Sequence, residues 1–141
     1  MSDNLQKRIH AEFFKTKAGN EPVRDYLHAL GRPAKTQIGE DIRFVELNWR
    51  VDRPYVDRIR SSSGEHAETV YEVRHTVGSL EYRTLFFVYG NRMVLIHCFQ
   101  KTSRKTPKAE ADVGWDRMKP WVADQKRTEI LAKKKLKGKI K

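Results

Sequence analysis

Cysteine and long apolar runs are scarce in this 141-residue sequence. Cys98 is the one cysteine, so no disulfide forms within the chain, which fits a reducing compartment. No stretch approaches the roughly 18 consecutive apolar residues of a membrane span, and the first residues form no apolar signal region. We therefore expect a soluble, cytoplasmic protein without a membrane partner.

The short motifs that bind metals and nucleotides are also missing. The sequence has no Gly-rich phosphate loop, no Cys or His pair at metal-ligand spacing and no Gly-x-Ser-x-Gly elbow. We therefore expect no metal and no cofactor.

Positive charge, by contrast, is in excess, and most of it lies at one end. The formal net charge is +11; residues 126–141 hold eight Lys or Arg against one Glu, a net +7, which leaves 11 − 7 = +4 for residues 1–125. We predict one domain over 1–125 and a Lys-rich tail over 126–141. The tail, with Lys133, Lys134 and Lys135, either binds nucleic acid through counterion release or is a solvated, partly disordered end.

The residues from Thr69 to Lys101 predict a three-stranded β-meander. Three runs rich in aromatic and β-branched residues are separated by Gly78-Ser79 and Gly90-Asn91, dipeptides suited to two-residue turns. This register places Arg74 opposite Arg83, and Arg83 opposite Cys98. Because like charges opposed in a sheet repel each other, an anion such as phosphate between the two arginines explains the pair. Neutralisation by Glu72 or Glu81, on the same face, is the alternative.

The other face of the meander is the predicted core face, with Tyr71, Val73, Phe86, Val88, Met93 and Leu95. His97, predicted opposite Thr84, falls on it and is expected to be a hydrogen-bonded core residue. His75, Tyr82 and Phe99 form the end row of that face, where an aromatic ring could stack on a base or close the core.

Elements on either side of the meander complete an α+β fold. Alternation predicts a strand over Lys7–Lys15, and a helix capped by Asn20 follows. A second helix begins at Pro33, and a short strand is predicted over Tyr55–Arg60, before a Ser61–Glu65 loop. Thr106 is expected to cap a final helix that Pro120 kinks or breaks. The apolar stripes predict a helical hairpin packed on the sheet.

The order of these elements resembles the RelE/ParE toxin superfamily, within it the phage-derived, HigB-like branch. The likeness spans about Ile9 to Trp121 and rests on Glu21-Pro-Val-Arg-Asp-Tyr-Leu, Val70-Tyr-Glu-Val-Arg74, Tyr82-Arg83 and the run from Gly90 to Pro107. It implies a RelE-like fold: an N-terminal strand and helical hairpin on a mainly antiparallel sheet, with a C-terminal helix and the basic tail outside the pattern.

The resemblance further implies the toxin of a type II toxin–antitoxin system, a metal-independent endoribonuclease that cleaves mRNA, usually on the ribosome. Its partners would be mRNA, the ribosome and a cognate helix-turn-helix antitoxin, through which alone it would reach operator DNA. Four residues match the family's basic positions and are the implied catalytic set: Arg74, Arg83, Lys101 and Lys105. The implied RNA-binding residues are Tyr82, Tyr89, Phe99 and Arg104. Lys133, Lys134 and Lys135 of the tail lie outside the resemblance and are RNA-binding candidates by their charge alone.

Two other functions compete with the nuclease. A ParE-like gyrase inhibitor has the same fold and poisons a protein target, although the paired arginines and the Lys-Thr-Pro ending favour the nuclease. A non-catalytic nucleic-acid-binding module would owe its affinity to residues 126–141. The general base and acid stay unassigned, since either Lys101 or Lys105 could serve if neighbouring cations lower its pKa.

Overall fold

The computed structural model describes residues 6–59 and 69–140, without the side chains of the last two. Within these ranges the chain forms five strands, β1 (His10–Phe13), β2 (Val56–Ile59), β3 (Val70–Val77), β4 (Leu80–Tyr89) and β5 (Arg92–Lys101). It also forms three helices, α1 (Pro22–Ala29), α2 (Ala34–Asn48) and α3 (Lys108–Ile140). The predicted Ser61–Glu65 loop lies outside the described residues. None of the helices in the described ranges is both long and apolar enough to cross a membrane.

The five strands form one mixed sheet in the order β1-β5-β4-β3-β2. β1 is parallel to β5, and the other neighbours are antiparallel, as predicted for the meander. Gly78 and Gly90 adopt φ of 62° in the two tight turns, a conformation that glycine tolerates without strain. The predicted pairing of Arg74 with Arg83 is confirmed.

A β-bulge in β5 corrects the predicted register of the second hairpin. Leu85 pairs with His97 while Phe86 pairs with Leu95, so β5 carries one extra residue at Ile96. Beyond the bulge, Thr84 faces Cys98 and Arg83 faces Phe99, one residue away from the predicted pairs. Since side chains alternate along a strand, residues 98–101 lie on the face opposite to the one that a regular hairpin gives.

Both faces of the sheet are buried, whereas the sequence indicated one core face. α1 and α2 cover the first face, where β-strand residues Val73, Phe86, Met93 and Leu95 pack with helix residues Val23, Ile38, Ile42 and Val45. α3 covers the second face, where Leu85, Phe87, Val94 and Ile96 pack with Trp115, Met118 and Val122. The arginine pair belongs to this second face, beyond the end of its apolar core.

The predicted cap of α3 is wrong, and Pro120 does not break the helix. The Pro107 carbonyl accepts the amides of Glu110 and Ala111, so the helix starts one residue after the predicted position. α3 then continues through Pro120 to Ile140. Met118 and Val122, on either side of the proline, are both buried against the sheet, and this packing holds the helix where proline removes one hydrogen bond. Residues 126–140 are therefore helical.

At the other end of the chain, α1 begins after Glu21, not Asn20, and no side chain caps it. The predicted first strand shortens to His10–Phe13, but its alternation is confirmed, because Ile9, Ala11 and Phe13 all face the first core. The predicted strand at Tyr55–Arg60 is present as β2.

Candidate functional site

A cationic groove lies where β2, β3 and the end of β5 meet the start of α3. Its volume is about 550 Å³. The side chains that line it include seven cationic residues, Arg53, Arg58, Arg74, Lys101, Arg104, Lys105 and Lys108. A second depression of about 420 Å³ adjoins it and shares Lys101 and Arg104. Lys101 thus stands between the two depressions.

The net positive charge of residues 1–125 is concentrated around these depressions. Their linings together hold eight Lys or Arg and four Asp or Glu, a net +4. The sequence before residue 126 also has a net charge of +4, so the remainder of that part, with 13 residues of each sign, is balanced. Within residues 1–125, the groove is therefore the part that attracts a polyanion most strongly.

Arg74 is held at the groove by an aspartate that the sequence did not single out. Its Nη2 lies 3.2 Å from Oδ2 of Asp57, whose other oxygen is 3.0 Å from Nε of Arg53. The Arg74 side chain is about one third exposed, and its buried Nε has no hydrogen-bond partner among the described residues. Arg74 can therefore still donate to a bound anion.

Arg83 is buried between two carboxylates. Its Nε lies 3.5 Å from Oε1 of Glu72, and its Nη1 lies 3.3 Å from Oε1 of Glu81. Nη1 also donates to the carbonyl of Tyr82 at 2.8 Å. The Arg83 side chain is only 7% exposed. For Arg83, the structure thus favours neutralisation by Glu72 and Glu81 over direct contact with an anion held between the two arginines.

Glu72 links this buried pair to the start of α3. Its side chain is 3% exposed, and its Oε2 accepts a hydrogen bond from the hydroxyl of Thr106. Thr106 therefore anchors the loop before α3 to the sheet and does not cap the helix. Because Lys105 and Lys108 flank this anchor, Glu72 positions two cationic residues of the groove.

Lys101 has an altered protonation equilibrium. Burial lowers the pKa of its ammonium group below the ordinary value, and the positive charges of Arg83 and Arg74 lower it further. A lysine with a lowered pKa is a better proton acceptor near neutral pH than an ordinary one. The β5 bulge places Lys101 on the face that carries Arg83, since Lys101 pairs directly with Glu81.

Three of the predicted RNA-binding aromatics do not lie in this groove. Tyr82 is 5% exposed in the first core, and Phe99 is 7% exposed in the second. Neither ring is available to stack on a base. Tyr89 lies at the other end of β4, where its hydroxyl is 3.0 Å from a carboxylate oxygen of Glu129. Of the predicted contacts, the structure brings together Arg74, Arg83, Lys101, Arg104 and Lys105.

The two histidines of the meander have structural partners. His75 is fully buried, with its ring nitrogens 2.8 Å from Asp41 and 2.8 Å from the hydroxyl of Thr84. His97 lies on the α3 face and not on the predicted one, 3.3 Å from Glu110 and stacked on Phe99. Burial lowers the pKa of His97, although Glu110 opposes this shift.

Sequence reasoning missed several groove residues, among them Asp57, Arg58, Lys108 and Trp115. Asp57 and Arg58 lie on a short strand whose partner was not predicted. α3 brings Lys108 and Trp115 close to β2 and β3, which end more than 30 residues earlier in the chain. In the part of the chain that the structure describes, no cluster of three or more His, Cys, Asp or Glu side chains could hold a metal ion.

The fold and groove define an α+β protein with a surface suited to a polyanion. The family described as "Phage derived protein Gp49-like (DUF891)" matches residues 25–119, about two thirds of the chain. The chain belongs to this Gp49-like family. The matched range begins in α1 and ends within α3, so it includes most of the groove. No curated protein matches the chain.

Proposed function

We propose that this protein is the toxin of a type II toxin–antitoxin system, an endoribonuclease that cleaves mRNA on the ribosome. The concentration of seven cationic side chains in one groove around Lys101 is the observation that carries the proposal. Membership of the phage-derived Gp49-like family and the resemblance to RelE-like and HigB-like toxins support it. A helix-turn-helix antitoxin would be the partner that keeps the toxin inactive.

The reaction is an intramolecular transfer at a phosphodiester. The ribose 2′-oxygen attacks the adjacent phosphorus while its proton passes to a base. The bond from phosphorus to the 5′-oxygen then breaks as that oxygen takes up a proton, which leaves a 2′,3′-cyclic phosphate and a 5′-hydroxyl. Such a reaction needs a base, an acid and cations near the developing negative charge.

The groove offers residues for these roles. Arg74 is the better of the two arginines for direct phosphate contact, because about one third of its side chain is exposed whereas that of Arg83 is buried. Lys101, with its lowered pKa, is the base in this proposal. Arg83 acts indirectly, since its charge lowers the pKa of Lys101 from a buried position. Arg104 and Lys105 lie in the loop beside them and would hold flanking phosphates.

Lys101→Gln should lower the cleavage rate of an mRNA reporter on ribosomes by roughly 10²- to 10⁴-fold, the range expected for loss of a proton-transfer group. Lys35→Gln is the control, because Lys35 is an exposed lysine on α2, which packs against the opposite face. Primer extension would measure cleavage during induced expression, and growth would measure toxicity. The activity of the unmodified protein should rise as the pH passes through the lowered pKa of Lys101, since the neutral amine is the base.

Growth arrest with an intact message would contradict the nuclease and point to a protein target such as gyrase. Normal cleavage by Lys101→Gln would show that Lys101 is not the base. Rescue of growth by a co-expressed neighbouring gene would support the toxin–antitoxin assignment, whereas an absence of arrest would oppose it.

A further inference from the structure

The second half of α3 extends beyond the body of the protein. Residues 126–138 are all exposed, and they include the exposed apolar side chains of Ile130, Leu131 and Leu136. Tyr89 contacts this segment through Glu129, which fixes the side of the helix that faces the body. The segment is therefore an exposed helix with a defined orientation.

Lysines cluster on one face of this exposed helix. At about 100° per residue, Lys133, Lys134 and Lys137 fall within an arc of about 100°. Lys133 and Lys137 are one turn apart, so their Cα atoms are separated by about 6 Å along the axis. Lys126 and Arg127 lie on the same side two turns earlier. We call Lys133, Lys134 and Lys137 the basic face; Lys135 points about 150° away from its centre.

The apolar residues of the segment do not form a docking stripe. Ile130, Leu131 and Leu136 point in three directions spread over about 220° of the helix circumference. A helix that docks on a protein groove or a membrane surface needs a continuous apolar face. Charge is therefore the main feature that this helix offers, and a phosphate backbone is the partner that fits it.

The composition of the helix favours a double-stranded partner. Proteins that hold single-stranded RNA commonly stack its bases on aromatic rings, but residues 122–141 contain no Phe, Tyr or Trp. Double-helical RNA is recognised largely through its shape, phosphates and 2′-hydroxyls. A rigid helix with lysines one turn apart can contact such a regular array of phosphates.

The basic face is distant from the cationic groove. Lys108 lines the groove and Lys133 lies 25 residues further along the same helix, which at 1.5 Å per residue is about 37 Å. A strand of a few nucleotides in the groove cannot reach that far. One short strand therefore cannot occupy both surfaces at once.

We propose that the basic face of α3 binds the phosphate backbone of double-helical RNA, as a contact separate from the groove. This inference extends the proposed function, since the groove would hold single-stranded message while the basic face holds the structured RNA around it. It does not depend on cleavage, because binding to a duplex can be measured without any reaction.

The test compares two triple variants of the full chain that change the net charge equally. K133Q/K134Q/K137Q removes the basic face, and K15Q/K17Q/K35Q removes three exposed lysines elsewhere. Lys and Gln have similar helix propensities, so circular dichroism should show unchanged helicity. The probe is an RNA duplex of about 20 base pairs, and its binding is followed by fluorescence anisotropy between 50 and 300 mM salt.

Loss of three phosphate contacts should reduce the slope of log Kd against log salt by about 2 to 3 and weaken binding at least about tenfold near 0.1 M salt. The control triple variant should change the salt slope and the affinity far less. Of the two single variants K135Q and K134Q, K135Q should change them less. Equal effects of the two triple variants would overturn the proposal, because only net charge would then matter. An equal loss of affinity for a single-stranded RNA of the same length would overturn the assignment to duplex.

Duplex binding by Lys101→Gln separates this inference from the proposed function. This variant should lose cleavage of the reporter message on ribosomes but bind the duplex as the unmodified protein does, because Lys101 lies in the groove and not on the basic face. If the unmodified protein cleaves no RNA but its duplex binding depends on the basic face, the nuclease proposal is wrong and the duplex-binding proposal is supported. If cleavage occurs and duplex binding does not depend on these lysines, the nuclease proposal is supported and the duplex-binding proposal is wrong.

Discussion

Arg83 offers the sharpest test of how the groove is built. It lies beside Glu72 with side-chain exposures of 7% and 3%, so neither charge has much access to water. Arg83→Met removes the cation and keeps a side chain of similar length. The carboxylate of Glu72 would then stay buried, and of the partners described above it would keep the hydroxyl of Thr106.

A buried ion pair that loses one partner destabilises a protein by about 3–5 kcal/mol, because the other charge is left uncompensated. Solvent screening reduces this figure little, since the pair is far less exposed than a surface salt bridge. The expected loss is a large part of the roughly 5–15 kcal/mol that stabilises a typical domain. Loss of toxicity in an Arg83 variant would therefore reflect folding as well as chemistry, contrary to the expectation that this face is dispensable for the core.

Urea unfolding followed by tryptophan fluorescence measures the effect. With a slope near 2 kcal/mol per molar urea, Arg83→Met should lower the midpoint by roughly 1.5–2.5 M. Arg58→Met is the matched control, because Arg58 is exposed on β2 and its loss should change stability by no more than about 0.5 kcal/mol. The double variant E72Q/R83M should recover part of the loss, since no buried charge is then left unpaired.

If Arg83→Met lowers the free energy of unfolding by less than about 1 kcal/mol, this reasoning is refuted, because Glu72 must then be solvated or paired with another cation in the variant. Strict additivity in the double variant would refute it too, since the pair would then not be coupled.

Three further predictions concern the second core and the buried thiol. Gly114→Val should destabilise the protein by about 1–3 kcal/mol in the same urea assay, because a Cβ there would lie 3.1 Å from a Leu85 methyl group. Gly39→Val is the control: with open space around its Cβ it should leave stability unchanged or raise it by up to roughly 0.5 kcal/mol, because valine has a higher helix propensity than glycine. Burial lowers the pKa of His97 in the folded protein, so the unfolded chain binds the proton at a higher pH and stability should decline below about pH 6.5. His97→Gln should reduce this decline, and an unchanged pH dependence of stability would contradict the reasoning. Burial raises the pKa of the Cys98 thiol to about 11, so a thiol reagent at pH 8 should label Cys98 only as fast as the protein opens, and immediate labelling of the folded protein would contradict the structure.

Much of the fold follows from local sequence patterns. The two-residue turns at Gly78 and Gly90 determine the pairing register of the first hairpin along its whole length and that of the second hairpin as far as Phe86. The apolar stripes of α1 and α2 identified the side chains of the first core. The second core was not recognised, since α3 meets the sheet through contacts that are remote in sequence, and the helix passes through Pro120 because that packing holds it.

For the candidate site, local sequence patterns predict the Arg74–Arg83 pair and the cluster of basic residues after β5. Contacts between distant parts of the folded chain determine which of these residues share a surface. In a regular hairpin Lys101 would lie on the face opposite to Arg83; the extra residue at Ile96 turns it to the same face, beside Glu81. α3 packs against the second face of the sheet and closes one side of the groove. Local sequence patterns do not specify this contact, although an apolar sheet face must be covered by another element.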